Sequence, residues 1–424
     1  MGPIAHSFAA LTALGLSPLL AVALLVRPSL RKHFGERLGR LPDALASGEA
    51  PIYVHASSVG EAKAAVRLIE RLEADGLPVV ATSSTLAGRR VFHRDRPHGD
   101  VHLIPLDHPW TVEAFLRRAR PSLSVLIETE LWPSWIAGCA RHDVPVVVAS
   151  GRLSDRSFPR YRKLRRLLRP TLARVEAVGA RTELDAERFI ELGAPEARVR
   201  VTGDLKLDPP PNQPALSIDL IRALADTPVV IGGSTHEGEE AALLDAMATA
   251  EKAGHAFVLV LAPRRVARCG EVVGLARAAG RRVLRRSELE GRRLVPGEVL
   301  VLDTIGELPA LYATASISFV GGTLAPVGGH NLVEPVHAGC PVLFGPRIEN
   351  VRKTVEILAI GDAGRRVANA DALAGELVSA FDDPEACRVR GEIGRESLRA
   401  HNGSVEQTRM LIKEVIARHA AEID

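Results

Sequence analysis

Beyond about residue 50, short apolar runs alternate with longer amphipathic stretches, a pattern that predicts parallel strands buried on both faces and covered by helices. The expected strands of the first half are residues 52–55, 79–82, 123–127, 144–149 and 199–202; those of the second are 229–231, 257–261, 299–302, 317–320 and 342–344. Between the two sets, LDPPPNQP at 207–214 can continue neither helix nor strand, because proline fixes φ and lacks an amide proton. The chain therefore divides into residues 28–208, a linker at 209–214, and residues 215–424 with the C-terminal helices. The expected architecture is α/β, two doubly wound Rossmann-like domains facing a central cleft, with ligands outside the carboxyl ends of the strands.

Ahead of this pattern, within an expected N-terminal anchor at 1–27, residues 8–26 form a run of 19 without a charge. As a helix they would reach about 28 Å, enough to span or anchor in a bilayer. Arg27, Arg31, Lys32, Arg37 and Arg40 all follow the run, which places the remainder on the cytoplasmic side. Pro18 leaves open whether the segment crosses the membrane or lies along it. A second basic stretch, Arg156 to Arg169, interleaves arginines with apolar residues and suits either a solvated helix face or anionic head groups.

Composition narrows the function classes. A formal charge of +3 and 4% aromatic residues give no footprint for nucleic acid. Cys139, Cys269, Cys340 and Cys387 have no regular spacing, which argues against a zinc site or a disulfide framework. There is neither a GxxxxGK[ST] loop nor a GxGxxG after a first strand.

Candidate chemistry gathers at the strand ends. GGTLAPVGGHNLVEP at 321–335 carries two glycine pairs, which expose backbone, followed by Asn331 as a helix cap and Glu334 one turn in; this suits phosphate and hydroxyl groups. The first strand runs into ASSVGE, where Glu61 enters the first turn of a helix, either as a dipole complement or as a base held ionised. Strand alternation puts Glu128 and Glu130 on one side, and a ligand or cation would relieve their repulsion. Lys206 is one of only seven lysines among 54 basic residues, a compact ammonium beside the linker. In the second half, STHEGEE, Arg264 and Gly306 lie at strand ends where a nucleotide would bind.

Taken together, HASSVGE at 55–61, PLDHP at 105–109, IETELWP at 127–133, GDLKLD at 203–208, STHEGEE at 234–240, APRR at 262–265 and FVGGTLAPVGGHNLVEP at 319–335 resemble the 3-deoxy-D-manno-octulosonic acid (Kdo) transferases over nearly the whole chain. The resemblance implies a GT-B glycosyltransferase, independent of metal and cofactor, that uses CMP-Kdo as donor and a lipid A precursor as acceptor. It further implies inversion at the anomeric centre and a site of action on the cytoplasmic face of the inner membrane, among its lipids. By position, Glu61 matches the family's general base, and Glu128 and Lys206 match its transition-state stabilisers. Pro263 and Arg264, Ile305, Gly306 and Glu307, and Asn331, Leu332, Val333 and Glu334 match its CMP site. Arg265 departs from the histidine that commonly follows the Pro-Arg pair. Two rival readings are a GT-B enzyme using a UDP-sugar on a lipid acceptor and a membrane-tethered binder of anionic lipid or nucleotide without turnover.

Overall fold

The computed structural model describes residues 33–41, 50–155, 157–209, 216–359 and 361–423. The expected anchor at 8–26 and most of the expected linker lie outside these residues. Among the described residues, no helix is long and apolar enough to cross a membrane. The chain forms two compact units, Met1–Asp208 with Asn402–Asp424, and Pro209–His401.

The first unit is built on a seven-stranded parallel sheet of order β3-β2-β1-β4-β5-β6-β7. Its strands are β1 (Ile52–Ala56), β2 (Val79–Ser83), β3 (Asp100–Leu103), β4 (Leu123–Ile127), β5 (Val146–Gly151), β6 (Ala177–Ala180) and β7 (Val199–Val201). Alternation along β1 sorts its side chains between two cores. Ile52, Val54 and Ala56 join Leu68, Ile69 and Leu72 of the helix Val59–Ala74 on one face, while Tyr53 meets Phe115 and Trp135 on the other.

The second unit repeats the plan with β8 (Val229–Thr235), β9 (Val258–Pro263), β10 (Val283–Arg285), β11 (Val299–Val301), β12 (Ile317–Val320), β13 (Val342–Phe344) and β14 (Gly364–Arg366), in the order β10-β11-β9-β8-β12-β13-β14. Val230, Leu259, Leu261 and Phe319 face one core, and Val229, Ile231, Val258 and Val260 the other. In each sheet the chain completes one half before it returns to build the other; in the second, the edge strand β10 is laid down before β11 fills the place beside β9. The switch points fall between β1 and β4 and between β8 and β12, where a doubly wound sheet leaves a crevice at its carboxyl edge.

One domain boundary differs from expectation. The sequence pattern puts the last helix, Ser404–Ile423, in the second domain, but Val405, Leu411, Ile412 and Val415 are buried in the core of the first unit against Val59–Ala74. Asp208 explains the return. Its buried carboxylate accepts the amides of Gly403 (2.8 Å), Ser404 (3.2 Å) and Val405 (2.5 Å), capping the helix with a charge that complements its dipole.

Candidate active site

At the switch point of the first unit, β1 ends at Ala56 and Ser58 caps the helix Val59–Ala74. The cap is reciprocal. The Glu61 amide donates to Ser58 Oγ (3.2 Å), Ser58 Oγ donates to Glu61 Oε1 (2.7 Å), and Glu61 Oε2 accepts the Ser57 amide (2.8 Å). The dipole-complement and functional readings of Glu61 thus describe one conformation, a nearly buried carboxylate fixed at a helix start.

Glu128 follows β4 in the left-handed region, φ 63°, and its amide donates to Ala149 O (2.8 Å). A glutamate held there costs on the order of 1 kcal/mol or more, strain that functional sites commonly carry. Its carboxylate is ion-paired with Lys206 Nζ. A Cβ on Gly60 would lie 3.6 Å from Lys206 Cε, so the lysine also rests against the start of the Glu61 helix. The turn bearing Lys206 is pinned on both sides: Lys206 N donates to Asp204 Oδ1 (3.0 Å), Asp204 pairs with Arg181 (3.0 Å), and Leu205 N donates to Ser150 Oγ (3.3 Å). In GDLKLD the two aspartates therefore hold the backbone while the lysine reaches out. The structure brings Glu61, Glu128 and Lys206 together at one sheet edge.

Glu130 also reaches this edge, though not by strand alternation, because β4 ends at Ile127 and the chain turns at Glu128. It accepts the indole N–H of Trp132 and lies 3.8 Å from His55 Nε2. Burial pushes its carboxyl above the ordinary range, reinforced by the charges of Glu61 and Glu128 and opposed by hydrogen bonds with the Ser57 and Trp132 side chains. His55 is fully buried and pushed down to about 3 by desolvation, so it is a neutral imidazole. Its Nδ1 meets Thr82 Oγ1 (3.0 Å), and its Nε2 meets Ser84 Oγ (3.1 Å) and Ser57 Oγ (3.3 Å). Sequence reasoning placed no role on His55, Ser57 or Ser84; the only signal was the polar run HASS after an apolar strand. Asp107 of PLDHP accepts the amides of Ser134 (3.3 Å) and Trp135 (2.8 Å), tying that motif to the ETELWP turn.

In the second unit the expected nucleotide residues end β9 or follow β11 and β12, of which β9 and β11 are neighbours. Pro263 ends β9, and the exposed Arg264 donates its amide to Thr235 O (3.0 Å). Ile305 is 76% exposed beside Gly306, whose φ of 102° suits glycine, after β11. Glu307 is held by Arg286 (2.8 Å) and by the Thr304 hydroxyl. Asn331 Oδ1 accepts the Val333 amide (3.0 Å) and its Nδ2 donates to Glu334 Oε1 (3.0 Å), so Asn331 serves the start of the short helix Val333–His337. Leu332 and Val333 are buried beneath it.

The glycine-rich loop departs from expectation. The amides of Gly322, Thr323, Leu324 and Ala325 do not lie bare but converge on the buried carboxylate of Glu239, at 2.8, 3.1, 2.9 and 3.0 Å. The first glycine pair thus wraps one of the protein's own carboxylates. His330, from the same loop, meets His236 from the end of β8 with Nε2 atoms 2.7 Å apart.

Two seven-stranded, doubly wound parallel sheets, each with its own switch point, make the GT-B fold. The fold is similar to that of a glycosyltransferase from Rickettsia africae, with a TM-score of 0.52, 11% identity, and coverage of 88% of this chain and 99% of that one. The family model for 3-deoxy-D-manno-octulosonic-acid transferase (kdotransferase) matches residues 32–209. A 3-deoxy-D-manno-octulosonic acid transferase of Haemophilus influenzae is 30% identical over 413 residues, covering 92% of this chain and 93% of the relative. One from Bordetella pertussis is 33% identical over 386 residues, 89% of each. The chain belongs to the Kdo transferase family.

Proposed function

We propose that the chain transfers Kdo from CMP-Kdo to the lipid A precursor with inversion, and that Glu61 is the general base. The observation that supports this most directly is the meeting of Glu61 with the Glu128–Lys206 pair at the switch point of the first unit. In the transfer, an acceptor hydroxyl attacks the anomeric carbon of Kdo, Glu61 takes the hydroxyl proton, and the bond to the CMP phosphate breaks with its electron pair leaving on CMP. Glu61 suits this task because the capping box fixes its direction before substrate arrives. Lys206 supplies a preorganised cation for charge on the Kdo carboxylate or the departing phosphate, and Glu128 orients that cation. Arg264, the backbone around Gly306, and Asn331 with Glu334 hold CMP, with Glu334 on the ribose hydroxyls.

On this reading the enzyme works at the cytoplasmic face of the inner membrane. The basic stretch supports it. Leu164, between the helices Phe158–Lys163 and Arg165–Leu172, and Leu167, within the second, are 49% and 72% exposed, so apolar side chains stand among arginines as at a lipid surface.

The test is CMP release from CMP-Kdo with a tetra-acylated, bisphosphorylated lipid A precursor, with product mass determined. Acceptor-dependent release and added Kdo mass are expected in wild type and lost in Glu61→Ala, which still binds donor. Stronger protection against thermal unfolding by UDP than by CMP would overturn the donor assignment.

A further inference from the structure

Residues 33–41 follow the expected anchor, and one of their side chains reaches the carboxyl edge of the first sheet. Backbone and Glu36 already attach this segment. Leu106 N donates to Arg37 O (2.9 Å), and Glu36 accepts the Leu103 amide (2.8 Å) and pairs with Arg89 (2.9 Å). The half-buried Arg37 side chain goes further in, its guanidinium donating to Ile104 O (3.0 Å), just past β3, and to Ser84 O, just past β2. A planar fork of donors can bridge two carbonyls at the ends of neighbouring strands, a geometry that a compact ammonium does not reproduce.

From Ser84 the contacts run to the carboxylate of Glu61. The Ser84 hydroxyl stands 2.8 Å from Ser57 Oγ and 3.1 Å from His55 Nε2, and the next residue, Thr85, donates its hydroxyl to Ser57 O (3.0 Å). One turn therefore grips Ser57 by both side chain and carbonyl. The Ser57 amide in turn makes the shorter of the two backbone hydrogen bonds to Glu61 Oε2, 2.8 Å against 3.4 Å from the Ser58 amide. We propose that Arg37 is a positioning residue for the transfer: by holding the Ser84 carbonyl it fixes the turn that grips Ser57, and through Ser57 the direction in which Glu61 points. The catalytic half of this proposal rests on Glu61 being the base. The ordering of Ser57 by Arg37 does not.

The experiment uses the full chain in two arms. Peptide-resolved hydrogen exchange over residues 57–61 should be about tenfold faster in Arg37→Ala, while exchange in the helix Ser404–Ile423 keeps its wild-type rate. In the transfer assay, Arg37→Ala should lower kcat about tenfold, as small misplacements of a reacting group do, with KM for both substrates within about twofold. Arg37→Lys should recover only part of that loss. Arg40→Ala, which removes the same charge from an exposed position of the same segment, should keep the wild-type kcat. Ser84→Ala should lower kcat about threefold, and the double variant with Arg37→Ala should match Arg37→Ala alone, because both changes break one line of contacts. Unchanged exchange over 57–61, a wild-type kcat in Arg37→Ala, an equal loss in Arg40→Ala, or losses that multiply in the double variant would each overturn the proposal. If Arg37→Ala does not fold, Ser84→Ala decides by the same exchange and kcat readouts, since it leaves the guanidinium contacts with backbone carbonyls in place. A wild type that transfers no Kdo would instead sink the functional reading and leave the exchange arm intact.

Discussion

Replacing Glu239 by alanine should loosen the second unit at the strand end it organises. Five backbone amides end on this carboxylate: Thr323, Leu324 and Ala325 on Oε1, Gly322 and His236 on Oε2. At about 1 kcal/mol net per hydrogen bond the set sums to about 5 kcal/mol, and water entering the vacated space recovers part of it, leaving an expected loss of about 3–4 kcal/mol. Glutamine should be intermediate, since its amide group would face donors on one side. The assay must see this unit. Trp110, Trp132 and Trp135 all belong to the first unit, so indole fluorescence is blind to the change. Peptide-resolved hydrogen exchange over residues 321–330 reads it directly, and about 3 kcal/mol corresponds to exchange faster by about a hundredfold. Exchange in Glu239→Ala within about threefold of wild type would refute the view that this carboxylate holds the loop.

Asp208→Ala should uncap the last helix and destabilise the first unit by about 2 kcal/mol, seen as an earlier urea midpoint in tryptophan fluorescence while exchange in the second unit is unchanged. Lys206→Ala should lower kcat by about a hundredfold with smaller changes in KM, and Lys206→Arg should recover only part; an unchanged kcat would remove Lys206 from the chemistry. Protonation of buried His55 gives an acid-sensitive component. Its folded value lies near 3 and its unfolded value near 6.5, so the unfolded chain binds the extra proton in that window and stability falls as pH drops through it. The upper bound is roughly 5 kcal/mol, and His55→Gln should flatten the slope of the urea midpoint between about pH 6.5 and pH 4 if the reasoning holds.

The long, branched central strands were legible in the sequence because burial on both faces demands a continuous apolar run. Those passed over have local reasons. DVHL of β3, VLR of β10 and GRR of β14 are short edge strands with one neighbour, where polar residues are tolerated. AVGA of β6 is internal, but a Cβ at Gly179 would lie 2.5 Å from Thr202 Oγ1, so crowding forces out the branched residues that mark a strand. At the site, Glu61 was legible because its partners are three and four residues away. Glu239 was legible only as another acid at a helix start, because the loop amides it binds lie 83 to 86 residues further along. Glu130 stands 3.8 Å from His55 of β1, a long-range contact that no local pattern encodes.

Because residues 402–424 rejoin the first unit, the second is an insertion within it, and the order of synthesis matters. The insertion is contiguous and can fold as soon as it leaves the ribosome. Its host must wait with the apolar face of Val59–Ala74 open until Val405, Leu411, Ile412 and Val415 arrive with the final stretch of chain. A nonsense mutation that removes only about the last twenty residues would therefore spare the inserted unit and cripple the one carrying Glu61, leaving a nascent surface for chaperones or proteases to claim.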